Sequence, residues 1–231
     1  MCGRFTLTAP GQALADEFGL EDVPQLAPRY NIAPSQDVAV IVLDEERTQR
    51  VLRSMRWGLV PHWAKDPAVG NRMINARAES AAEKPAYRTP FRKRRCLLPA
   101  TGFFEWKRVG AGKQPMLLRR RDGRAFAFAG LWDRWHPEDG EPMESCTILT
   151  TEPNDLVVEV HDRMPVILPP EAYEPWLDPA IQEPAELQSL LVPYEASEMI
   201  VYPVSRRVNT PANDDPDCIE PVDPDIGGLF D

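Results

Sequence analysis

RRCLLPATGFFEWKRVGAGKQPMLLRRRDGRAFAFAGLWD, residues 94–133, breaks into four apolar runs parted by short turn-forming pieces. The runs RRCLLP, GFFEWKR, PMLLRR and AFAFAGLWD are short, bounded by glycine or charged residues, and strand-like. AFAFA alternates with a period of two, which is the period of an extended chain. Strands that follow one another with no helix-length segment between them pair as antiparallel neighbours, not as alternating β-α units.

Outward from this stretch, DVAVIVL (37–43) reads as a buried strand, and SCTILTT (145–151) and MIVYPVSRRV (199–208) return to strand. PGQALADEFGL (10–20) predicts a short helix with Pro10 near its first turn. NARAESAAEKPAYR (75–88) predicts another, with Asn75 as a candidate cap and Pro85 as its limit. PPEAYEPWL (169–177) and EPAELQSLL (183–191) are short helices entered by proline. The 25 prolines interrupt the rest. Antiparallel-type strands with short, separate helices give an α+β fold. No repeat or Gly/Ser linker divides the chain, so residues 2–210 are expected to form one domain. Residues 211–231 hold seven acidic residues and no basic ones, and are expected to be a loosely held acidic tail.

The gross numbers exclude several classes. A chain of 231 residues with 43% hydrophobic and 27% charged residues is an ordinary globular protein. No apolar run reaches the ~20 residues of a membrane span, and no secretory signal is evident. Cys2, Cys96, Cys146 and Cys218 are far apart and form no CxxC or Cys/His cluster, which argues against a disulfide framework and against zinc. The expectation is a cytoplasmic, monomeric protein with reduced thiols, no metal, no cofactor and no membrane contact. Net charge is −10, yet residues 50–135 hold 20 Lys+Arg against 6 Asp+Glu. Charge segregated in this way can form a positive groove on an acidic protein, or lie on scattered solvated faces.

The chemistry begins at MCGRF (1–5). A cysteine in second place can be a packed thiol or a zinc ligand. Once Met1 is removed it is also a 1,2-aminothiol, with an α-amine of ordinary pKa ~7.7–8.0 beside a thiol of ~8.5. With an aldehyde, the amine forms a Schiff base and the thiol closes on the imine carbon to give a thiazolidine. Gly3 removes bulk beside the nucleophile. Glu105 in TGFFEWKR shares a strand face with Phe103, while Phe104 and Trp106 share the other. It is either a partly desolvated proton shuttle or an edge-strand carboxylate facing water, and the local sequence leans toward water. His161 in VEVHDRMPV titrates near neutrality and is either acid/base or structural. His62 and His136 have loop-like neighbours. Asn75 can hold a sugar hydroxyl or carbonyl instead of capping a helix. Arg4, Arg77 and Arg163 offer forked donors for phosphate. Trp63 lies among cations in a pattern suited to stacking single-stranded bases, whereas Trp57 reads as core.

Taken jointly, the blocks MCGRF, RYNIAPSQ (29–36), WGLVPHW (57–63), INARAES (74–80), RRCLLPATGFFEWK (94–107), ILTTEPN (148–154), VHDRMPVIL (160–168) and YPVSRRVN (202–209) resemble the SRAP family of abasic-site processing proteins. The resemblance implies an antiparallel and mixed β-sheet core, barrel-like, with peripheral helices. It implies recognition of abasic sites in single-stranded DNA and at junctions with duplex, and a covalent thiazolidine crosslink that shields the lesion in a DNA-damage (SOS) response. On that footing Cys2 is the nucleophile, Glu105 assists proton transfer, His161 is acid/base in sugar opening and adduct reversal, and Asn75 orients the sugar. Arg4, Arg77, Trp106, Thr150 and Arg163 would contact the DNA, and Pro34 and Trp63 would form a wedge beside the last stacked base. Members of the family can carry two adjacent tryptophans at the wedge; here Ala64 follows Trp63. The peptidase of the family's name requires only self-removal of Met1, and a lyase-type activity is compatible with the same groups. The protein would then be nucleoid-associated when DNA is damaged.

Rival readings use the same residues. Glutaminase domains of amidotransferases also begin Met-Cys-Gly and use the α-amine as base for the thiol. A non-catalytic single-strand binder would need only the arginines and tryptophans, and a merely solubilising basic middle would bind no DNA.

Overall fold

The computed structural model describes residues 2–223. Among the described residues thirteen strands follow in order: β1 Phe5–Leu7, β2 Arg29–Ile32, β3 Asp37–Leu43, β4 Arg50–Trp57, β5 Asn75–Arg77, β6 Arg95–Ala100, β7 Gly102–Val109, β8 Gly112–Arg120, β9 Phe126–Trp135, β10 Met143–Thr151, β11 Met164–Pro165, β12 Ile167–Leu168 and β13 Met199–Pro203. The α-helices are short: α1 Gly11–Phe18, α2 Ala78–Ala81, α3 Arg88–Lys93, α4 Tyr173–Leu177 and α5 Pro184–Gln188. The fold is α+β, as the strand runs require.

Five strands close on themselves in the order β4-β3-β6-β9-β10, with β10 pairing both β9 and β4. Closure removes the exposed edges that an open sheet would present. The ring is mixed, because β10 runs parallel to β4 and to the short β5 while its neighbour β9 is antiparallel. A second sheet, β13-β8-β7-β1-β2, lies beside it. The alternation in AFAFA is one of size, not polarity. Residues 125–131 are all buried, because β9 is paired on both edges and covered on both faces. Gly130 leaves room at the tightest point: a Cβ there would sit 2.2 Å from Leu98 Cδ1 and 2.9 Å from Cys96 Sγ.

The two sheets meet through aromatic side chains. Phe5 of β1 packs edge-on against Trp57 (5.1 Å between centroids) and Phe128 (5.8 Å), and Phe103 of β7 reaches Phe128 at 6.0 Å. Trp57 is fully buried, with its indole N–H donated to the Ile74 carbonyl at 2.9 Å. Burying one phenylalanine contributes ~1.5–3 kcal/mol. Phe5 therefore anchors the chain just three residues after Cys2.

Two expectations are corrected. Asn75 caps no helix: residues 75–77 are a strand along β10, and the helix after them is one turn. Three ladder pairs with β10 outweigh the helix propensity of the alanines. Residues 211–223 are also not loosely held. The Asp214 carboxylate accepts from Arg29, from the Tyr30 N–H and from the Asn31 N–H (2.9 Å), and Cys218 is buried against Phe104, Leu117, Val204 and Val208. The acidic charge serves docking here because it meets a cation and unpaired amides on β2. The rest of the expected tail, 224–231, lies outside the described residues.

Candidate active site

β1 and β7 pair antiparallel, with Phe5 opposite Phe103 and the Phe104 N–H donated to the Arg4 carbonyl at 2.9 Å. Continuing that register sets Gly3 across from Glu105, one residue from Cys2. β7 lies between β1 and β8, so Glu105 is on no edge. Its side chain is buried, only 3% exposed, and the solvent-facing alternative is overturned. Burial raises the Glu105 pKa, opposed by nearby positive charge that includes His161.

Asn75 holds the other side of Cys2. Its Nδ2 donates to the Cys2 carbonyl at 2.8 Å, while its Oδ1 is buried and accepts no hydrogen bond from the described residues. A buried acceptor left open is costly unless a partner arrives, which suits a substrate hydroxyl or amine. The Tyr87 hydroxyl steadies this strand through the Asn75 carbonyl at 3.5 Å. Cys2 is fully buried; desolvation pushes its thiol well above the ordinary range, and the Glu105 charge adds to the rise. The sulfur thus lies inside the protein but within the field of Glu105.

His161 closes the group, with Nε2 4.0 Å from Glu105 Oε2. On its other side Nδ1 accepts the Arg163 N–H at 3.1 Å and lies 2.9 Å from Asp162 Oδ1. A neutral ring that accepts at Nδ1 carries its proton on Nε2, facing Glu105. A protonated ring turns Nδ1 into a donor to Asp162. Cys2, Asn75, Glu105 and His161 are therefore one cluster, drawn from four separate parts of the chain.

Residues 1–211 match the family described as SOS response associated peptidase (SRAP). The chain belongs to the SRAP family. It is 46% identical over 224 residues to the abasic site processing protein YoqW of Bacillus subtilis (strain 168), covering 95% of this chain and 99% of that protein. To the abasic site processing protein HMCES of Gallus gallus it is 35% identical over 226 residues, covering 85% of this chain and 67% of that one. A crystal structure of a Bacteroides thetaiotaomicron protein superposes with a TM-score of 0.86 at 30% identity, over 96% of this chain and 100% of that one.

The remaining candidate residues of this SRAP domain sit as follows. Arg4 is half-buried, with Nη1 donating to Asn31 Oδ1 and the Val208 carbonyl, each at 2.8 Å, and desolvation lowers its pKa. Arg163 forms a fork with Glu79 (2.7 and 2.9 Å) and donates to the Thr150 carbonyl at 2.6 Å. Thr150 is fully buried with its hydroxyl toward the Ala76 carbonyl, so that hydroxyl serves the interior. Arg77 is exposed at the start of α2. Trp106 points away from Glu105 and donates to Asn209 Oδ1 at 2.7 Å. Pro34 is half-buried in the turn between β2 and β3, and Trp63 is 56% exposed in the loop after β4.

Glu79 and Asn31 carry no local signal in the sequence that marks them out. Glu79 and Asn31 lie inside motif blocks already noted, but pairing Arg163 with Glu79 needs 84 residues of chain to fold back.

Proposed function

We propose that this protein captures abasic sites in single-stranded DNA by a covalent bond to Cys2. The observation that carries the reading is the gathering of Asn75, Glu105 and His161 about Cys2, the residue that becomes an aminothiol once Met1 leaves. Support also comes from the relatives' printed function, abasic site processing.

Removal of Met1 frees the Cys2 α-amine. The amine adds to C1′ of the ring-opened sugar, and the carbinolamine loses water to form an imine. Glu105, whose raised pKa favours the protonated acid, gives the proton that leaves with the hydroxyl. The thiol then adds its sulfur to the cationic imine carbon and its proton returns to the Glu105 carboxylate, so aldehyde, amine and thiol give thiazolidine plus one water. The thiol is held neutral beforehand, so the amine acts first. A cationic imine two bonds from the Cys2 Cβ then favours the thiolate. Asn75 fixes the Cys2 carbonyl and so the direction of the amine, with its open Oδ1 available to a sugar hydroxyl. His161 passes the proton between Glu105 and solvent. No helix among the described residues is long and apolar enough to cross a membrane.

The test is incubation with abasic single-stranded DNA followed by denaturation. Wild type should give a shifted band with the mass of DNA plus protein less one water. No shift, or an undiminished one with Cys2→Ala, defeats the reading. Ammonia release from glutamine would favour the amidotransferase instead.

A further inference from the structure

One end of the closed barrel carries a feature the covalent chemistry does not use. The end of β3, the start of β4, the start of β6 and the end of β9 frame a cleft of about 410 Å³. Arg47, Arg53, Lys93, Arg94 and Arg134 line it around Trp132, with Asp44 and Glu45 as its acids. Asp44 is turned back onto its own hairpin, accepting from the Thr48 N–H at 2.7 Å and the Gln49 N–H at 3.2 Å. Nearby Glu144 is shared by Arg53 and Arg134. The cations therefore outnumber the carboxylates available to them. Arg47 stands in the left-handed region (φ 60°), held by that Asx-type turn, and Lys93 is exposed in the last turn of α3.

This mouth is separate from the Cys2 cluster yet joined to the Trp63 loop. Glu144 and Thr150 are six residues apart on β10, roughly 20 Å at strand rise. Asp133, fully buried, accepts from Arg94 of the mouth and also from the His62 N–H and Nδ1 at 3.0 Å each. Trp63 is the next residue, and Trp135 ties the same loop through the Ala64 carbonyl at 2.7 Å. One carboxylate thus holds both Arg94 of the basic rim and His62, the residue before the exposed Trp63.

We infer that the mouth is a second phosphate-contact site, taking the backbone of the DNA that flanks the lesion past Trp63. The inference rests on the DNA-binding reading above and adds a longer footprint. Forked guanidiniums suit phosphate oxygens, and the ring of Trp132, with the Arg94 guanidinium 5.9 Å from its centre, supplies a rigid wall.

The experiment compares wild type with Arg47→Ala/Lys93→Ala, and with Lys93→Glu alone as a second variant that leaves the turn intact. Affinity is measured on intact DNA, independent of the covalent step, using a short single strand and one with long flanks. On the long strand the double variant should bind about tenfold more weakly at low salt, with a salt slope smaller by about 1.4 for two lost phosphate contacts. On the short strand all three should bind alike, and all should crosslink a short abasic strand equally. Equal affinity and equal slope on the long strand would overturn the inference, whereas absence of crosslinking by wild type would sink the covalent reading instead.

Discussion

Glu105 Oε2 lies 4.0 Å from His161 Nε2, and the imidazole's other nitrogen accepts the Arg163 N–H. The carboxylate is buried, which raises its pKa; the ring, 28% exposed, reaches both it and solvent. Acid and relay are thus held apart in the chain, Glu105 on β7 and His161 in the loop before β11, and meet beside Cys2.

Burial raises the Glu105 pKa, so the folded state binds this proton more tightly than the unfolded chain does. Its contribution to stability is full below the unfolded carboxylate pKa and is lost as pH rises through the folded value. Glu105→Gln should therefore raise the thermal midpoint near pH 7 and leave it unchanged near pH 3, while slowing crosslinking. Melting curves at the two pH values, with single-turnover crosslinking, check both halves; an unchanged midpoint near neutrality would refute the first.

Asn75→Ala removes the bond that fixes the Cys2 carbonyl. Stability should fall by about 1 kcal/mol, and the crosslinking rate by about 10²-fold if aim matters as much as in other positioned reactions. A rate loss no larger than the stability loss implies would reduce Asn75 to a packing residue.

Arg163→Lys keeps the charge and loses the fork to Glu79. Arg163 holds the Glu79 pKa below the ordinary carboxylate range, so the pair stabilises above the unfolded pKa and the gain fades as pH falls through the folded one. The variant should be less stable in urea at neutral pH and converge with wild type in acid. Parallel curves at all pH values would argue against it.

Truncation after Thr210 removes Asp214 from the β2 amides and Cys218 from its apolar cluster. The loss should be about 2 kcal/mol or more, since hydrogen bonds to a charged group are among the stronger ones. A truncated protein with unaltered urea midpoint would mean that the docked segment is dispensable.

Gly130→Ala places a methyl against Leu98 and Cys96 at the closure of the barrel, with the Thr147 carbonyl 3.1 Å away. The expected cost is about 1–3 kcal/mol, visible as a lowered midpoint with the spectrum of the folded state retained.

The amino-acid sequence by itself determined the longer apolar strands, but not β1, β2, β4, β5, β11 or β12, and the run 199–208 stays strand only to Pro203 before turning into a 3-10 helix at Arg206–Asn209. β3, β6, β7, β9 and β10 fall where runs such as DVAVIVL and AFAFAGLWD place them, because an apolar run of that length between turns has few other uses. It also determined that Phe103 and Glu105 share a face, which follows from the pleat alone, and that an aminothiol is available once Met1 leaves. Only the tertiary structure decided that β10 closes the ring, that Asn75 belongs to a strand, and that Glu105 is buried. Those depend on partners 70 to 100 residues away, as in Asn75 to Cys2 and Phe5 to Phe103, and no local pattern encodes which distant strand supplies the missing edge. The docking of Asp214 onto β2 is of the same kind. Its composition says solvated, and the unpaired amides of a distant strand make it bound.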